Sequence, residues 1–174
     1  MLRQWPILIA GLLAVIAGMW LGTSRLDGRA GKLSIDALWN ADFRDLDGNA
    51  VRGQALRGKV LVVNFWATWC APCKEEMPDL QSVASSEMGK IAQFVGIGID
   101  DAAKMREFAK SIGLTYRLLE AGAGGLDLLR ALGDDVGGLP YTLVLDRHGG
   151  VVARKLGRIG RDELEQALRT ALSR

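Results

Sequence analysis

The sequence is poor in the side chains that most metal sites and hydrolytic sites use. It contains one histidine, His148, and two cysteines, Cys70 and Cys73. Zinc takes four ligands, so the cysteines and the histidine do not by themselves complete an intrachain zinc site. A Ser-His-Asp or Cys-His mechanism would depend on His148, whose Asp-Arg-His-Gly-Gly context is typical of a turn with an exposed side chain. The sequence therefore disfavours metal binding and histidine-based catalysis.

Strong net charge and internal repeats are also absent. The 22 lysine and arginine residues nearly balance the 20 aspartate and glutamate residues, which gives a formal net charge of +2. This balance, without a long basic run, argues against a dedicated nucleic-acid-binding protein. Apolar residues make up 49% of the 174 residues, enough to bury a core without disulfide crosslinks. These features predict one globular domain with an additional segment.

An apolar segment near the start of the chain predicts a membrane helix. Residues 5–22 contain no charged side chain, and as a helix they would span about 27 Å, close to the hydrocarbon thickness of a bilayer. Trp5 and Trp20 lie near its two ends, as interfacial tryptophans do. We predict an uncleaved membrane anchor over residues 1–22. A signal peptide cut near residues 15–17 is the alternative, since a basic residue precedes the apolar run.

A linker follows, and its charges bear on membrane orientation. Residues 23–35 are rich in glycine and charge, which predicts a flexible linker before a folded domain over residues 36–174. The linker holds three basic residues, whereas only Arg3 precedes the apolar run. The positive-inside rule would therefore place the domain in the cytoplasm. The charge pattern alone leaves export of the domain open.

The two cysteines lie at the start of a predicted helix. The apolar residues 60–64 predict a strand, and residues 74–85 have the apolar spacing of a helix with one buried face. At this junction the free backbone N–H groups and the helix dipole favour the thiolate, which makes Cys70 the candidate nucleophile. Cys73, one turn deeper, would resolve the mixed disulfide, and Pro72 suits the first helical turn. A purely structural disulfide is the alternative, although so small a ring stabilises little.

The rest of the chain alternates strand and helix patterns. An Asp47-Gly48 turn signal predicts a hairpin of residues 38–45 and 50–56 ahead of the main fold. Further strands are expected over residues 91–99, 115–119, 141–146 and 151–156, and helices after Asp100 or Asp101 up to Gly113, over residues 126–132 and over residues 161–173. This alternation, ending in a hairpin and a helix, predicts an α/β fold with a mixed central sheet.

The residues around the cysteines resemble a known family. Residues 63–78, VNFWATWCAPCKEEMP, are similar to the active-site segment of the thioredoxin superfamily. Within it they resemble most the membrane-anchored bacterial thiol-disulfide oxidoreductases of the TlpA and ResA type. The resemblance continues through residues 137–146, GGLPYTLVLD, and through the hairpin before the central strand. It covers about residues 36–172 and implies a thioredoxin-like fold with an added N-terminal hairpin.

The resemblance implies roles for several residues of the site. Cys70 would be the attacking thiol and Cys73 the resolving one. Pro140 matches the cis-proline that faces the cysteine pair, and Leu139 would present its backbone to a substrate strand. Trp69 matches the aromatic residue that flanks the nucleophile, although simple packing is its alternative role. The predicted substrate-binding residues are Trp69, Pro72, Leu139 and Pro140.

A carboxylate is expected to carry the proton of the resolving thiol. Thioredoxin has a buried aspartate in the strand before the motif, where this chain has Asn64, which cannot titrate. Glu76 matches the glutamate that TlpA and ResA proteins place beside the active site. We predict that Glu76 accepts and returns the proton of Cys73, which must become a thiolate before it attacks. The alternative is an ordinary solvated side chain on a charged turn with Glu75.

The resemblance implies a thiol-disulfide oxidoreductase that uses no cofactor. We expect it to reduce disulfides of periplasmic proteins such as apocytochrome c during cytochrome maturation, with electrons from a membrane thiol carrier. The domain would lie in the periplasm, tethered to the bacterial inner membrane close to that carrier. A protein disulfide oxidase is the first alternative, because cysteine spacing does not reveal the reduction potential. A copper(I)-delivery module using Met77 with the two thiolates, and a peroxidase using Cys70, are further alternatives.

Overall fold

A seven-stranded mixed sheet forms the centre of the computed structural model, which describes residues 33–174. In chain order its strands are β1 (Asp42–Asp45), β2 (Ala50–Arg52), β3 (Leu61–Trp66), β4 (Gln93–Gly98), β5 (Arg117–Glu120), β6 (Tyr141–Leu145) and β7 (Val151–Leu156). Their order in space is β2-β1-β5-β4-β3-β6-β7. Strands β3, β4 and β5 pair in parallel, whereas β1, β2, β6 and β7 make antiparallel pairs. The predicted mixed sheet is confirmed.

Helices connect and cover these strands. They are α1 (Asp36–Asn40), α2 (Ala71–Ala84), α3 (Glu87–Lys90), α4 (Ala102–Ser111), α5 (Gly125–Ala131) and α6 (Arg161–Leu172), with 3-10 turns at Gly53–Leu56 and Gly122–Gly124. Helix α4 is capped by Asp101, whose carboxylate accepts the N–H groups of Ala103 and Lys104. Helix α6 buries Leu164 and Leu168, one turn apart, as its apolar spacing predicts.

Strand β3 is buried along its whole length and lies between two halves of the core. Leu61, Val63 and Phe65 belong to the cluster on one face, and Val62 belongs to the cluster formed with α2 and α6 on the other. Because side chains alternate along a strand, Asn64 shares the face of Val62. Strand β3 therefore carries a polar side chain under the helix that holds the cysteines.

The hairpin ahead of the main fold is present but shorter than predicted. Strands β1 and β2 pair around the Asp47-Gly48 turn, whereas Leu38 belongs to helix α1 and Gly53 begins a 3-10 turn. The Gly53 N–H donates to the Ala41 carbonyl, and a Cβ on Gly53 would lie 1.9 Å from the Leu38 carbonyl oxygen. This close approach of two backbones ends the second strand early. The short helix α3 was not predicted either.

The predicted linker ends earlier than expected, and the predicted anchor lies outside the described residues. Ser34 donates its N–H to the Ala131 carbonyl, and Ile35 packs against the core, so both belong to the folded domain. The membrane anchor predicted over residues 1–22 falls in a part of the chain that the structure does not describe. Between residues 33 and 174, no helix has the length and apolar character needed to cross a bilayer.

Candidate active site

Cys70 occupies the N-cap position of helix α2, just beyond the turn that follows strand β3. Its Sγ accepts a hydrogen bond from the Cys73 backbone N–H at 3.2 Å, and the two cysteines form a disulfide. Cys70 keeps 6% of its surface exposed, whereas Cys73 is fully buried. An incoming disulfide therefore reaches Cys70 first. Helix α2 supplies the N-terminal N–H groups that favour a thiolate at that sulfur.

Apolar side chains surround the cysteine pair. Trp66, Met77 and Met105 share one buried cluster with Cys70 and Cys73. Such surroundings disfavour an uncompensated thiolate, so the buried cysteine needs an acceptor for its proton within the protein. Met77 also places a thioether in the same cluster as the two sulfurs, as the copper(I) alternative requires.

Glu76 is fully buried on α2, one turn after Cys73. Its Oε1 accepts a hydrogen bond from Asn64 Nδ2 at 2.7 Å, and its Oε2 accepts one from the Ile159 N–H at 2.9 Å. Burial raises the pKa of Glu76 from 4.5 to about 7, although both hydrogen bonds and the charge of Arg158 favour the ionised form. The alternative of a solvated Glu76 is therefore wrong. A carboxyl that titrates near neutral pH suits proton exchange with a thiol.

Asn64 connects Glu76 with strand β6. Its Nδ2 also donates to Thr142 Oγ1 at 3.0 Å, and Asn64 and Thr142 are direct partners in the β3–β6 ladder. The sequence indicates only that Asn64 cannot titrate, and neither the contact of Asn64 with Thr142 nor that of Ile159 with Glu76 was predicted. Thr142 could have been found from strand pairing, because it follows Pro140 by two residues. Nothing in the sequence points to Ile159.

Of the two tryptophans that precede Cys70, one is exposed in the turn and the other is buried at the end of strand β3. Trp69 is 68% exposed, whereas Trp66 is fully buried. The packing role considered for Trp69 thus belongs to Trp66. Asp100, expected from the sequence only to precede a helix, accepts hydrogen bonds from the backbone N–H and the hydroxyl of Thr68 in the same turn.

The segment before strand β6 meets the cysteine pair from the other side. The Leu139–Pro140 peptide bond is cis, and the Leu139 side chain packs against the cluster that contains both cysteines. No backbone–backbone hydrogen bond of residues 33–174 uses the Leu139 N–H or C=O. The exposed Val136 and Leu156 flank Gly138, where a Cβ would lie 2.8 Å from Leu156 Cδ1. An apolar surface with free backbone groups therefore borders the site.

The predicted site residues divide into a buried group and an exposed group. Cys73, Glu76 and Pro140 are buried, and Leu139 is half-buried. Trp69 and Pro72 are exposed on the helix side of the cysteines, as contact with a second molecule requires. Their roles in substrate binding stay predictions.

Comparisons with known proteins agree with this geometry. The Redoxin family model matches residues 36–169. Thioredoxin-like protein YneN of Bacillus subtilis (strain 168) is 30% identical over 177 residues, which cover 97% of this chain and 98% of YneN. Thiol-disulfide oxidoreductase ResA of Bacillus thuringiensis (strain Al Hakam) is 29% identical over 126 residues, which cover 72% of this chain and 70% of ResA.

A solved structure shows the same fold. The dsbF protein of MTB, determined in its mixed oxidized and reduced forms, superposes with a TM-score of 0.67 at 30% sequence identity. The match covers 80% of this chain and 99% of that protein. With the Cys70–Cys73 disulfide at the start of α2, these similarities place the chain in the Redoxin family, as a thiol-disulfide oxidoreductase of the ResA type.

Proposed function

We propose that this oxidoreductase reduces disulfides of exported proteins with paired cysteines, of which apocytochrome c is the example expected from the family resemblance. The Cys70 thiolate attacks one sulfur of the substrate disulfide and displaces the other as a thiolate, which takes up a proton. The Cys73 thiolate then attacks Cys70 Sγ, releases the second substrate thiolate and closes the Cys70–Cys73 disulfide. Two electrons pass to the substrate, and a membrane thiol carrier restores the dithiol.

The two residues between the cysteines are the reason for proposing a reductase rather than an oxidase. A strongly oxidising pair requires a reduced form whose thiolate is highly stabilised. Ala71 has no polar side chain, and Pro72 has no backbone N–H to donate. The hydrogen bond from the Cys73 N–H to Cys70 Sγ therefore has no support from a donating or charged side chain within the motif. Such moderate stabilisation of the Cys70 thiolate favours a reducing couple.

A substrate segment would bind between the two sides of the site. The free N–H and C=O of Leu139 are suited to pair with an extended chain, as in strand addition. Exposed apolar side chains at Trp69, Val136 and Leu156 would cover the residues next to the substrate cysteine. This arrangement recognises backbone and apolar surface, which many cysteine-containing segments offer.

Glu76 would return Cys73 to its reactive state in each cycle. The Cys73 thiol gives its proton to the Glu76 carboxylate, directly or through water, and the resulting thiolate attacks the mixed disulfide. The support for this step is the burial of Glu76 and its pKa of about 7. Because Asn64 and Ile159 donate to the carboxyl oxygens, the ionised carboxylate is available to accept the proton at neutral pH.

The domain would act outside the cytoplasm while tethered to the inner membrane. Exported proteins form disulfides in an oxidising compartment, so a dithiol there must be reduced again after each turnover. Residues 1–22 would anchor the domain, and residues 23–32 would let it reach both its electron donor and its substrates. A reporter that is active only outside the cytoplasm, fused to the carboxyl terminus, tests this placement. A cytoplasmic result would overturn both the compartment and the exported substrates.

Equilibration of the full-length protein with glutathione buffers tests the direction of electron flow. We expect a reduction potential close to that of reducing thioredoxins, about −270 mV, rather than about −120 mV as in a strong oxidant. The Cys73→Ser variant, which cannot close the disulfide, is the control for the measured signal. A reduction potential of about −120 mV would contradict the proposed reductase and support an oxidase. Stoichiometric Cu(I) binding without insulin reduction would instead support copper delivery.

A further inference from the structure

A carboxylate outside the cysteine pair holds the turn from which Cys70 emerges. Asp100 follows strand β4, and its Oδ2 accepts the Thr68 N–H at 3.2 Å and also the Thr68 hydroxyl. Its Oδ1 accepts the Asp101 N–H at 2.8 Å and lies 3.9 Å from Lys104 Nζ. The Asp100 side chain is only 7% exposed. One nearly buried carboxylate therefore ties the loop after β3 to the start of helix α4.

The turn that Asp100 holds leads directly into the nucleophile. The Cys70 N–H donates to the Ala67 carbonyl at 3.2 Å, which closes the turn around Thr68 and Trp69. Trp69, at the tip, has most of its side chain in solvent and so contributes little packing to hold the turn. The two hydrogen bonds from Thr68 to Asp100 are thus the main side-chain attachment of this segment.

Asp100 is ionised throughout the pH range in which cysteine thiols react. Burial opposes ionisation, but the hydrogen bonds from Thr68 and Asp101 and the charge of Lys104 outweigh it, so the pKa of Asp100 lies below its ordinary value. The carboxylate consequently stays a hydrogen-bond acceptor over the whole range in which Cys70 changes charge. A charged acceptor also makes stronger hydrogen bonds than a neutral one.

We propose that Asp100 is a positioning residue: by holding Thr68 it fixes Cys70 at the N-terminus of helix α2 and thereby sets the reactivity of the Cys70 thiolate. The physical link is the N-cap geometry, in which the Cys73 N–H points at Cys70 Sγ at 3.2 Å. A looser turn lets Cys70 move away from this N–H and from the helix dipole, which lowers the thiolate fraction. The inference rests on Cys70 being the attacking thiol of the proposed function, not on the direction of electron flow.

Asp100 also carries a negative charge, and this charge affects the stability of the Cys70 thiolate in the opposite direction from positioning. A nearby negative charge disfavours the Cys70 thiolate, whereas correct positioning favours it. Thr68→Val removes the hydroxyl bond and keeps the charge of Asp100. Asp100→Asn removes the charge and keeps one acceptor oxygen for Thr68. The two variants therefore separate positioning from charge.

The test measures the rate at which iodoacetamide alkylates Cys70 in the reduced full-length protein. The pH runs from about 5 to about 10, a range that includes the pKa of a free cysteine thiol. In Thr68→Val we expect the midpoint of the alkylation profile to move to higher pH. The alkylation rate near neutral pH should fall about three- to tenfold, in proportion to the thiolate fraction of Cys70. Thr68→Ser keeps both donors and should restore the wild-type profile. Thr170→Val makes the same chemical change on the exposed face of α6 and should leave the profile unchanged.

Other titratable groups on the elements around Cys70 are the same in all these variants. They are Cys73 and Glu76 on α2 and Tyr116 before β5, and Lys104 stands beside Asp100. An unchanged midpoint in Thr68→Val, with a lowered midpoint in Asp100→Asn, would overturn positioning and leave charge as the only effect. A lower Tm of Thr68→Val with a wild-type midpoint would also overturn it. If the alkylation profiles are as expected but the reduction potential of the Cys70–Cys73 pair is oxidising, the positioning role of Asp100 stands and only the proposed reductase is overturned.

Discussion

Asn64 on strand β3 donates a 2.7 Å hydrogen bond to Glu76 on helix α2, and both side chains are buried. The Ile159 N–H, in the segment between β7 and α6, donates to the second oxygen of the carboxyl. Two opposing effects then set its proton affinity: burial favours the neutral form, and the two donors favour the ionised form. The site thus contains a titratable centre of its own besides the thiols.

Glu76 should make the oxidised protein less stable as the pH rises toward neutrality. Its pKa is raised from 4.5 to about 7, so between these values the folded protein holds a proton that the unfolded chain has lost. The contribution is full below pH 4.5 and is lost as the pH rises to about 7, a difference of about 3 kcal/mol. Urea unfolding of wild type and Glu76→Gln across this range should show the decline only in the wild type.

The neighbouring glutamate provides the control for that experiment. Glu75 is exposed and forms an ion pair with Arg158 at 2.9 Å, so Glu75→Gln should keep the wild-type decline. The slopes with pH are compared rather than the absolute stabilities, because a glutamine amide meets two donors at this site. Parallel slopes for wild type and Glu76→Gln would contradict the raised pKa of Glu76.

Asn64→Ala should raise the pKa of Glu76 further. The substitution removes a hydrogen-bond donor from the carboxylate and leaves burial in place, so the neutral carboxyl becomes more stable relative to the ionised one. Carbon-13 NMR of the Glu76 carboxyl in the oxidised protein measures this directly. Thr142→Val removes the other partner of Asn64 without touching Glu76 and should shift the titration less. A lowered pKa in Asn64→Ala would show that Asn64 does not stabilise the carboxylate.

The two neighbouring tryptophans should respond differently to truncation. Trp66→Ala empties a buried position and should cost about 3 to 5 kcal/mol of unfolding free energy. Trp69→Ala should change stability by no more than about 0.5 kcal/mol, because its side chain is 68% exposed. We expect Trp69→Ala to slow the reduction of insulin while sparing reduction of a small aromatic disulfide. Equal loss with both substrates would argue against a contact with the substrate chain.

The two cysteines should differ in the adducts that they form. Cys73→Ser should accumulate a mixed disulfide on Cys70 when exposed to a disulfide-containing protein, because resolution is blocked. Cys70→Ser should form none at a comparable rate, since Cys73 is fully buried. Mass spectrometry of the intact protein identifies both products. A rapid adduct on Cys73 in Cys70→Ser would reverse the assigned roles.

Features set by neighbouring residues were predictable from the sequence. The strand predicted over residues 60–64 is present as β3 (Leu61–Trp66), because an uninterrupted apolar run favours a buried strand. The helix expected over residues 74–85 begins earlier, at Ala71, since Cys70 accepts the Cys73 N–H as its cap. The cysteine motif, the hairpin turn and the final helix are all visible within a few residues of sequence.

Contacts between distant segments were not predictable in this way. Ile159 reaches Glu76 across 83 residues, and Asp100 reaches Thr68 across 32. Neither pair has a local signal, because a backbone N–H is present at nearly every residue and an exposed turn can hold any polar side chain. Leu38 was predicted in a strand, but it lies in helix α1, where its carbonyl oxygen closely approaches Gly53. Tertiary packing chose among alternatives that the local sequence allowed.

The antiparallel ladder between β3 and β6 has a consequence for the kind of substrate that the enzyme accepts. It pairs residues from Leu61↔Leu145 to Phe65↔Tyr141, and the segments carrying Cys70 and Leu139 continue from the same end of it. The points at which these two segments leave the sheet therefore cannot separate without breaking the centre of the sheet. We therefore expect the substrate to supply the conformational adjustment, with its cysteines on a flexible stretch of chain. On this expectation the enzyme acts best on polypeptides that have not finished folding.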